Sequence, residues 1–405
     1  MEKENVPQLR FPEFESEWAK KRLSKLTLKI SDGIHTTPKY DETGEYYFVN
    51  GNNLKDGQIT INESTKRVNV SEYQKHKKDL TESTILMSIN GTIGNLAFYK
   101  GEEVVLGKSA AYLIVNDKTD EKFIYNFLQI GSTLRFFESE LTGSTIKNLS
   151  LRTIKETPVW IPKLIEQQKI ASFLSSVDKK IEQLTRKKEL LEEYKKGVMQ
   201  KLFPKPGEQH PKLRFKDENG EDFPDWEVKR LGELITPFTE KSTENNQYEV
   251  LTSSNEGLVK QTDYYGDNRL TSRDSTGFNI VPPKHITFRN RSDNRNFTFN
   301  ENNLGFTGLV STYYPVFYLP KGTNRFFLAL TEVLKNQIGR YSVGTSQTVL
   351  SFNTLKSIRC FLPCIEEQIR VSKFLAIIDL EIAHKEKRVL NFRLFKKGLL
   401  QQMFV

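Results

Sequence analysis

Residues 161–203, IPKLIEQQKIASFLSSVDKKIEQLTRKKELLEEYKKGVMQKLF, return without a gap as residues 362–404, so the chain must fold in a way that can be built twice. Twelve of the 43 paired positions, all 201 apart, are identical: Pro162/Pro363, Glu166/Glu367, Gln167/Gln368, Phe173/Phe374, Leu174/Leu375, Asp178/Asp379, Ile181/Ile382, Lys195/Lys396, Lys196/Lys397, Gly197/Gly398, Gln200/Gln401 and Phe203/Phe404. Shorter matches flank this one. PQLRF at 7–11, with Trp18 after it, resembles PKLRF at 211–215, with Trp226 after it. Leu149/Leu350, Ser150/Ser351, Thr153/Thr354 and Lys155/Lys356 lie just ahead of the long match.

The period inside the repeat predicts a coiled-coil helix. Ile170, Val177, Leu184, Leu191 and Val198 recur every seven residues, with Leu174, Ile181, Tyr194 and Leu202 three or four behind them. The second copy places Val371, Ile378, Lys385, Phe392 and Leu399 on the heptad positions, followed by Leu375, Ile382, Val389, Phe395 and Met403. Only Lys385 is polar there, and a polar seam residue tends to fix register. A helix over 164–203 would be about 60 Å long. Pro162 and Pro363 suit helix entry, and Pro204, Pro206 and Gly207 suit exit. Each half runs domain then helix, so antiparallel pairing of the helices about a pseudo-two-fold axis is expected.

Between the flanking matches the halves diverge, as two similar frames around two different inserts. In the first, EYYFVN, QITI, TILMSI, NLAFY and AYLIV read as short strands, and 121–141 as one amphipathic helix. In the second, YEVLTS, HITFR, NFTF and TYYPVFYL read as strands, and 324–338 as a helix. The stretches 143–155 and 344–356 read as a polar turn and last strand joining domain to helix. The expected fold class is α+β: two mixed α/β domains at 1–160 and 204–361, separated by two long helices at 161–203 and 362–405 that form an antiparallel coiled coil.

The formal charge is +9, but residues 163–203 carry 10 Lys/Arg against 6 Asp/Glu and residues 364–405 carry 8 against 5. The helices thus hold most of the excess, and an acidic polymer bound by the domains must meet a locally basic face. No apolar run reaches 18 residues and MEKENVPQLRF lacks a signal-peptide core, which predicts a cytoplasmic protein without a membrane partner. Cys360 and Cys364 are spaced like half of a metal site, yet their repeat partners are Val159 and Lys163 and no second Cys or His pair lies nearby; structural thiols are the reading.

His35, His76, His210, His285 and His384 are scattered, and HExxH, Walker A and GxSxG patterns are missing, so neither catalytic nor metal residues are assigned. Gly91-Thr92-Ile93-Gly94 reads as a hairpin turn rather than a phosphate-binding fingerprint. Side chains suited to reading bases are easier to find. KHITFRNRSDNRNFTFN, 284–300, holds Arg289, Asn290, Arg291, Asn294, Arg295 and Asn296 against one acid, Asp293. Arginine pairs with guanine and asparagine with adenine in the major groove; a soluble hairpin with a basic edge is the alternative. Arg269 and Arg273 form a second cluster. In the first insert, His35, Thr36 and Thr37 in SDGIHTTP, Asn52, Lys66 with Arg67, and Ser88 with Asn90 are further candidates, each also explicable as a turn or cap.

With these features in place, the chain resembles the specificity subunit of type I restriction-modification enzymes. IPKLIEQQKIASFLSSVDKKIE and its counterpart LPCIEEQIRVSKFLAIIDLEIA resemble that family's Pro-x-x-x-Glu-Gln-x-x-Ile helix start, with Val371 standing where the first copy has Ile170. SDGIHTTP is similar to the family's Asp-Gly-x-His-x-x-Pro loop, which the second half lacks. The resemblance implies a non-catalytic subunit. Each variable domain would read one half of a split, asymmetric site in double-stranded DNA, and the helices would set the gap. Two methyltransferase subunits would bind around the helices, and restriction subunits with ATP-dependent translocase and nuclease activity would join them. S-adenosylmethionine, ATP and Mg2+ would be used by those partners, with no cofactor on this chain. Two other readings compete. One is a structural adaptor whose coiled coil joins two protein-binding domains; steep salt dependence of binding to duplex DNA separates it from a DNA reader, because phosphate neutralisation releases counterions and protein-only contacts do not. A stand-alone nuclease or methyltransferase would act alone, and the missing motifs oppose it.

Overall fold

The computed structural model describes residues 6–143, 147–205, 208–254, 257–265, 274–321 and 323–405. The chain divides into two units, Met1–Thr185 with Lys387–Val405, and Arg186–Glu386. The two divisions fall 201 residues apart, in the middle of the repeated helices.

In the first unit a four-stranded sheet runs in the order Thr27–Asp32, Ala110–Val115, Thr84–Ser88, Leu96–Phe98. TILMS and AAYLIV are buried along their whole length, as strands covered on both faces must be, and they pair antiparallel with Ala111 opposite Met87 and Leu113 opposite Ile85. Beside them Tyr46–Val49 and Val104–Leu106 pair in parallel. The second unit repeats this plan with Thr236–Phe238, Val316–Tyr318, Ile286–Phe288 and Phe299–Glu301 in the same order, and a parallel ladder between Glu249–Ser254 and Gly308–Val310. The inserts expected to differ therefore share the main sheet order and the parallel ladder, the second adding the strand Asn279–Val281 beside Gly308–Val310. Buried strands demand apolar side chains of fitting volume rather than particular ones, so the fold persists where alignment fails.

Several local expectations are corrected. The single helix over 121–141 is two, Glu121–Phe127 and Gly131–Ser139, because the chain turns at 128–130 to bury both Leu128 and Ile130. Likewise 324–338 divides into Asn324–Val333 and Lys335–Arg340, a turn at Leu334 letting Ile338 enter the core. The stretches read as a joining strand are short helices, Leu151–Glu156 and Phe352–Ser357. Their repeated serines are caps: Ser150 Oγ accepts the Thr153 N–H and Ser351 Oγ the Thr354 N–H, both at 3.0 Å. The strands that lead into the long helices are Pro158–Ile161 and Arg359–Leu362, paired with Ala19–Arg22 and Glu227–Arg230. Of NFTF only Phe299 enters the sheet, in the strand Phe299–Glu301, and of TYYPVFYL only Val316–Tyr318, leaving Tyr313 in a turn.

The long helices, hereafter the arms, are Leu164–Leu202 and Ile365–Gln402, of 39 and 38 residues. In the second unit Lys188 meets Glu386 at 3.2 Å and Lys195 meets Asp379 at 2.7 Å. Numbers rise on one arm as they fall on the other, so the pairing is antiparallel. In the first unit Lys396 meets Asp178 at 2.7 Å, which is the Lys195–Asp379 contact with each residue replaced by its repeat partner. Tyr194 and Phe395, assigned to the seam, are exposed instead, and the lysines that follow them turn inward to these aspartates. Lys385 bonds Glu381 of its own helix at 2.8 Å.

The arms are rooted in the cores. Ile170, Leu174 and Val177 pack with Leu399, Met403 and Phe404 around Trp18 and Phe123. Val198, Leu202 and Phe203 pack with Val371 and Leu375 around Trp226 and Phe326. As the duplication predicts, the N-terminal entry segment docks at the end of the second arm: Leu9 N–H donates to Gln402 O at 2.8 Å, matching Leu213 N–H to Lys201 O at 2.9 Å. Among the described residues no helix is long and apolar enough to cross a membrane.

Candidate nucleic-acid interface

In the first unit, loops that follow separate strands are drawn together at one end of the sheet. Gly33 N–H donates to Ala110 O at 3.1 Å and Ile34 N–H to Leu106 O at 2.8 Å. A Cβ at Gly33 would stand 2.1 Å from Leu106 O, so only glycine permits this approach. The loop then carries His35, Thr36 and Thr37 outward; all three are exposed, and His35 Nε2 lies 2.8 Å from Asp32 Oδ2. Asn52 is exposed on the adjacent turn Gly51–Asn53. Both loops border Gly107, where an added Cβ would meet Asn50 Oδ1 at 2.2 Å, and Asn50 Oδ1 accepts the Ser109 hydroxyl at 3.0 Å.

Lys66 and Arg67 stand with two tyrosines. The Arg67 guanidinium carbon is 4.8 Å from the Tyr47 ring centre and Nη2 donates to Tyr47 Oη at 2.9 Å, while Lys66 Nζ lies 6.0 Å over Tyr40. Ser88 is a correction: it is fully buried, and Oγ accepts the Asn95 N–H at 2.8 Å, so it closes the 88–95 hairpin and offers no ligand contact. That hairpin contains Gly91 and Gly94, as expected of a turn. Asn90, two residues past Ser88, donates through Nδ2 to Asn148 Oδ1 at 2.9 Å.

In the second unit, Ile286–Phe288 and Phe299–Glu301 pair antiparallel, so 284–300 is a hairpin whose basic residues ride on its long loop. Arg289, Arg295 and Asn296 are exposed. Asn290 is held by its backbone, its N–H donating to Tyr313 O at 3.0 Å and its carbonyl accepting from Leu350 N–H at 2.9 Å. Arg291 lies on a short ladder between Arg291–Ser292 and Thr348–Val349. Its guanidinium carbon is 4.1 Å from the Tyr313 ring centre, and Nη1 reaches Gln347 Oε1 at 3.5 Å. Arg269 and Arg273 lie outside the described residues.

These strand ends share one backbone frame. Ile89 N–H bonds Ser109 O at 3.0 Å and Leu149 N–H bonds Ile89 O at 2.9 Å, as Asn290 and Leu350 do in the other unit. Thr142 and Asn148 exchange two backbone bonds, as do Val343 and Val349. The pairs 89/290, 142/343, 148/349 and 149/350 all keep the offset of 201, so the repeat continues inside the inserts. Asn148, Tyr313 and Gln347 also stand at these ends; the offset of 201 picks out only 148/349, while Tyr313 and Gln347 reach Arg291 through backbone pairing formed at a distance in sequence.

The chemistry at these ends is hydrogen bonding and stacking. Burial pushes the Cys360 thiol up to about 12 and raises that of Cys364, which makes both poor thiolates.

The family profile described as Type I restriction modification DNA specificity domain matches residues 15–193 and again 224–391. The chain is similar to the provisionally named type I restriction enzyme MjaX specificity subunit of Methanocaldococcus jannaschii, 25% identical over 410 residues that cover 95% of this chain and 92% of the relative. Its fold is similar to the crystal structure of the type I restriction-modification system S subunit from M. genitalium, with a TM-score of 0.57, 18% identity and 99% of each chain covered. A second solved chain, from work on complex assembly and conformational transition of the type I system, aligns with a TM-score of 0.54, 16% identity and 96% and 97% coverage. The chain, two profile matches long, belongs to the type I restriction-modification specificity family, the non-catalytic subunits that give these enzymes their DNA target.

Proposed function

We propose that each unit reads one half of a split, asymmetric site in double-stranded DNA, residues 1–160 and 204–361 being the two recognition domains. The observation that carries this reading is the shared frame at 89/290 and 149/350, which presents amides in one unit and a stacked guanidinium in the other. Two readers built alike with different side chains suit a site whose halves differ. His35, Thr36, Thr37, Asn52, Lys66, Arg67, Arg289, Arg295 and Asn296 are exposed on the two units and serve phosphates or bases.

The arms, residues 161–203 and 362–405, set the gap and hold two methyltransferase subunits. Ile377, Leu380, Leu390 and Leu394 on the second arm are each more than half exposed, an apolar surface suited to a protein partner. Restriction subunits with ATP-dependent translocase and nuclease activity complete the complex in the cytoplasm, and S-adenosylmethionine, ATP and Mg2+ are used there, on the partners. Mapping methylated adenines in cells that carry this chain with its methyltransferase tests the proposal. Two fixed sequence blocks at a constant gap are expected. One uninterrupted block, or methylation without sequence preference, contradicts it.

A further inference from the structure

We propose that Arg291 is a specificity-determining residue that reads a guanine in the second unit's half-site, with Tyr313 and Gln347 as its positioning residues; this rests on the DNA-reading role above. Three contacts fix the guanidinium before any ligand arrives. Tyr313 is pinned by the bond from Asn290 N–H to its carbonyl at 3.0 Å, which brings the ring under the Arg291 fork at 4.1 Å. Gln347 Oε1 accepts from Nη1 at 3.5 Å, and its own Nε2 donates to Asp293 Oδ1 at 3.3 Å. Pairing of Arg291–Ser292 with Thr348–Val349 fixes the backbone beneath.

An arginine stacked on a ring has already lost much of the rotamer freedom that base contact would cost. Among the described residues Nη2 and Nε of Arg291 make no hydrogen bond, which leaves both donors for a ligand. Two parallel N–H donors match the N7 and O6 acceptors of guanine, whereas adenine and cytosine present an amino donor and thymine a methyl group on the same edge. Arg289 and Arg295, exposed and unstacked in the same loop, suit phosphates, which ask for charge rather than a fixed fork. The repeat partner of Arg291 is Asn90, tied to Asn148 at 2.9 Å, so the same place in the frame carries different chemistry in the other unit.

The test is methylation mapping, with competition binding to duplexes, for Arg291→Ala, Arg291→Lys, Tyr313→Leu and Tyr313→Phe in the full chain with its methyltransferase. Arg291→Ala should lower the preference for guanine at one position of one block by about 5- to 150-fold. The other block and the gap should stay as they were. Tyr313→Leu should relax the same position by a smaller factor, and Tyr313→Phe, which keeps the ring, should not. Arg291→Lys keeps the charge but loses the fork, so it should relax the same position, and it carries the test if Arg291→Ala proves poorly folded by its melting temperature. A block without guanine, an unchanged profile in every Arg291 variant, or equal weakening on all sequences overturns the assignment. A split motif in the parent chain with such a result sinks only this assignment. No split motif in the parent chain sinks the half-site reading itself.

Discussion

Arg10 grips Glu166 with two nitrogens, Nε 2.7 Å from Oε1 and Nη2 2.8 Å from Oε2, although 156 residues separate them. Glu166 is almost wholly buried and also accepts Trp18 Nε1–H at 3.1 Å. Its hydrogen bonds hold the Arg10 guanidinium above its usual pKa against the opposing pull of burial. The second unit repeats every part: Arg214 on Glu367 at 3.1 and 2.8 Å, and Trp226 Nε1–H on Glu367 at 3.1 Å. The acid of the repeated Glu-Gln pair thus locks each entry segment to the start of the following arm.

Removing the arginine should leave a buried carboxylate uncompensated, at a cost of about 3–5 kcal/mol. Denaturant unfolding of Arg10→Ala and Arg214→Ala should show this loss. Adding Glu166→Gln to Arg10→Ala should recover part of it, since the amide needs no counter-charge. A loss below about 1 kcal/mol, the range of exposed ion pairs, would show that the pair does not lock the entry segment to the arm.

The ion pairs between the arms should be weaker and unequal. Asp379 is gripped by Lys195 and also by Arg325, whereas Asp178 is gripped by Lys396. A double-mutant cycle on Asp178 and Lys396 should return a coupling of about 0.2–1 kcal/mol, because Asp178 is partly exposed. Asp379→Ala should destabilise more than Asp178→Ala, having two cations to strand. Equal losses would mean that Arg325 contributes nothing.

Much of this fold was legible in the sequence because repetition and heptad spacing are strong signals. Ile170 to Val198 and Val371 to Leu399 specify helices whatever surrounds them, and PQLRF with PKLRF announces two entry segments. Short-range signals failed where burial decided the outcome. Leu128 and Ile130 read as one helix with their neighbours, yet burying both requires a turn. Tyr194 and Phe395 fit a hydrophobic pattern, but the Lys195–Asp379 and Lys396–Asp178 pairs take that side of the helix. The candidate site was half legible. Composition picks out Arg291, while Tyr313 and Gln347 meet it only through ladders formed at a distance in sequence. Ser88 shows the converse, a polar residue consumed by its own hairpin.

A heptad added to both arms, after Leu184 and after Lys385, should lengthen the gap between the blocks and leave their bases unchanged. Seven residues keep the seam in register, where four would rotate it away. The insertion adds about 10 Å of helix against about 3.4 Å of duplex per base pair, so growth should not exceed about three base pairs. Altered bases at the old gap in a methylation map would reverse the division of labour between arms and units.

Two units of one frame should read DNA independently, each through its own insert. This independence is tested most directly by writing one insert twice. Replacing residues 27–149 with residues 235–350 of the same chain joins the parts at equivalent positions, Leu26 with Leu234, each bonded back to the start of its short helix, and Leu149 with Leu350, both buried. Methylated adenines mapped in cells carrying this chain and its methyltransferase should then mark a site with two identical blocks, inverted on opposite strands because the arms run antiparallel, at the parent gap. Retention of the parent's asymmetric site, or a direct rather than inverted repeat of the second block, would contradict the account.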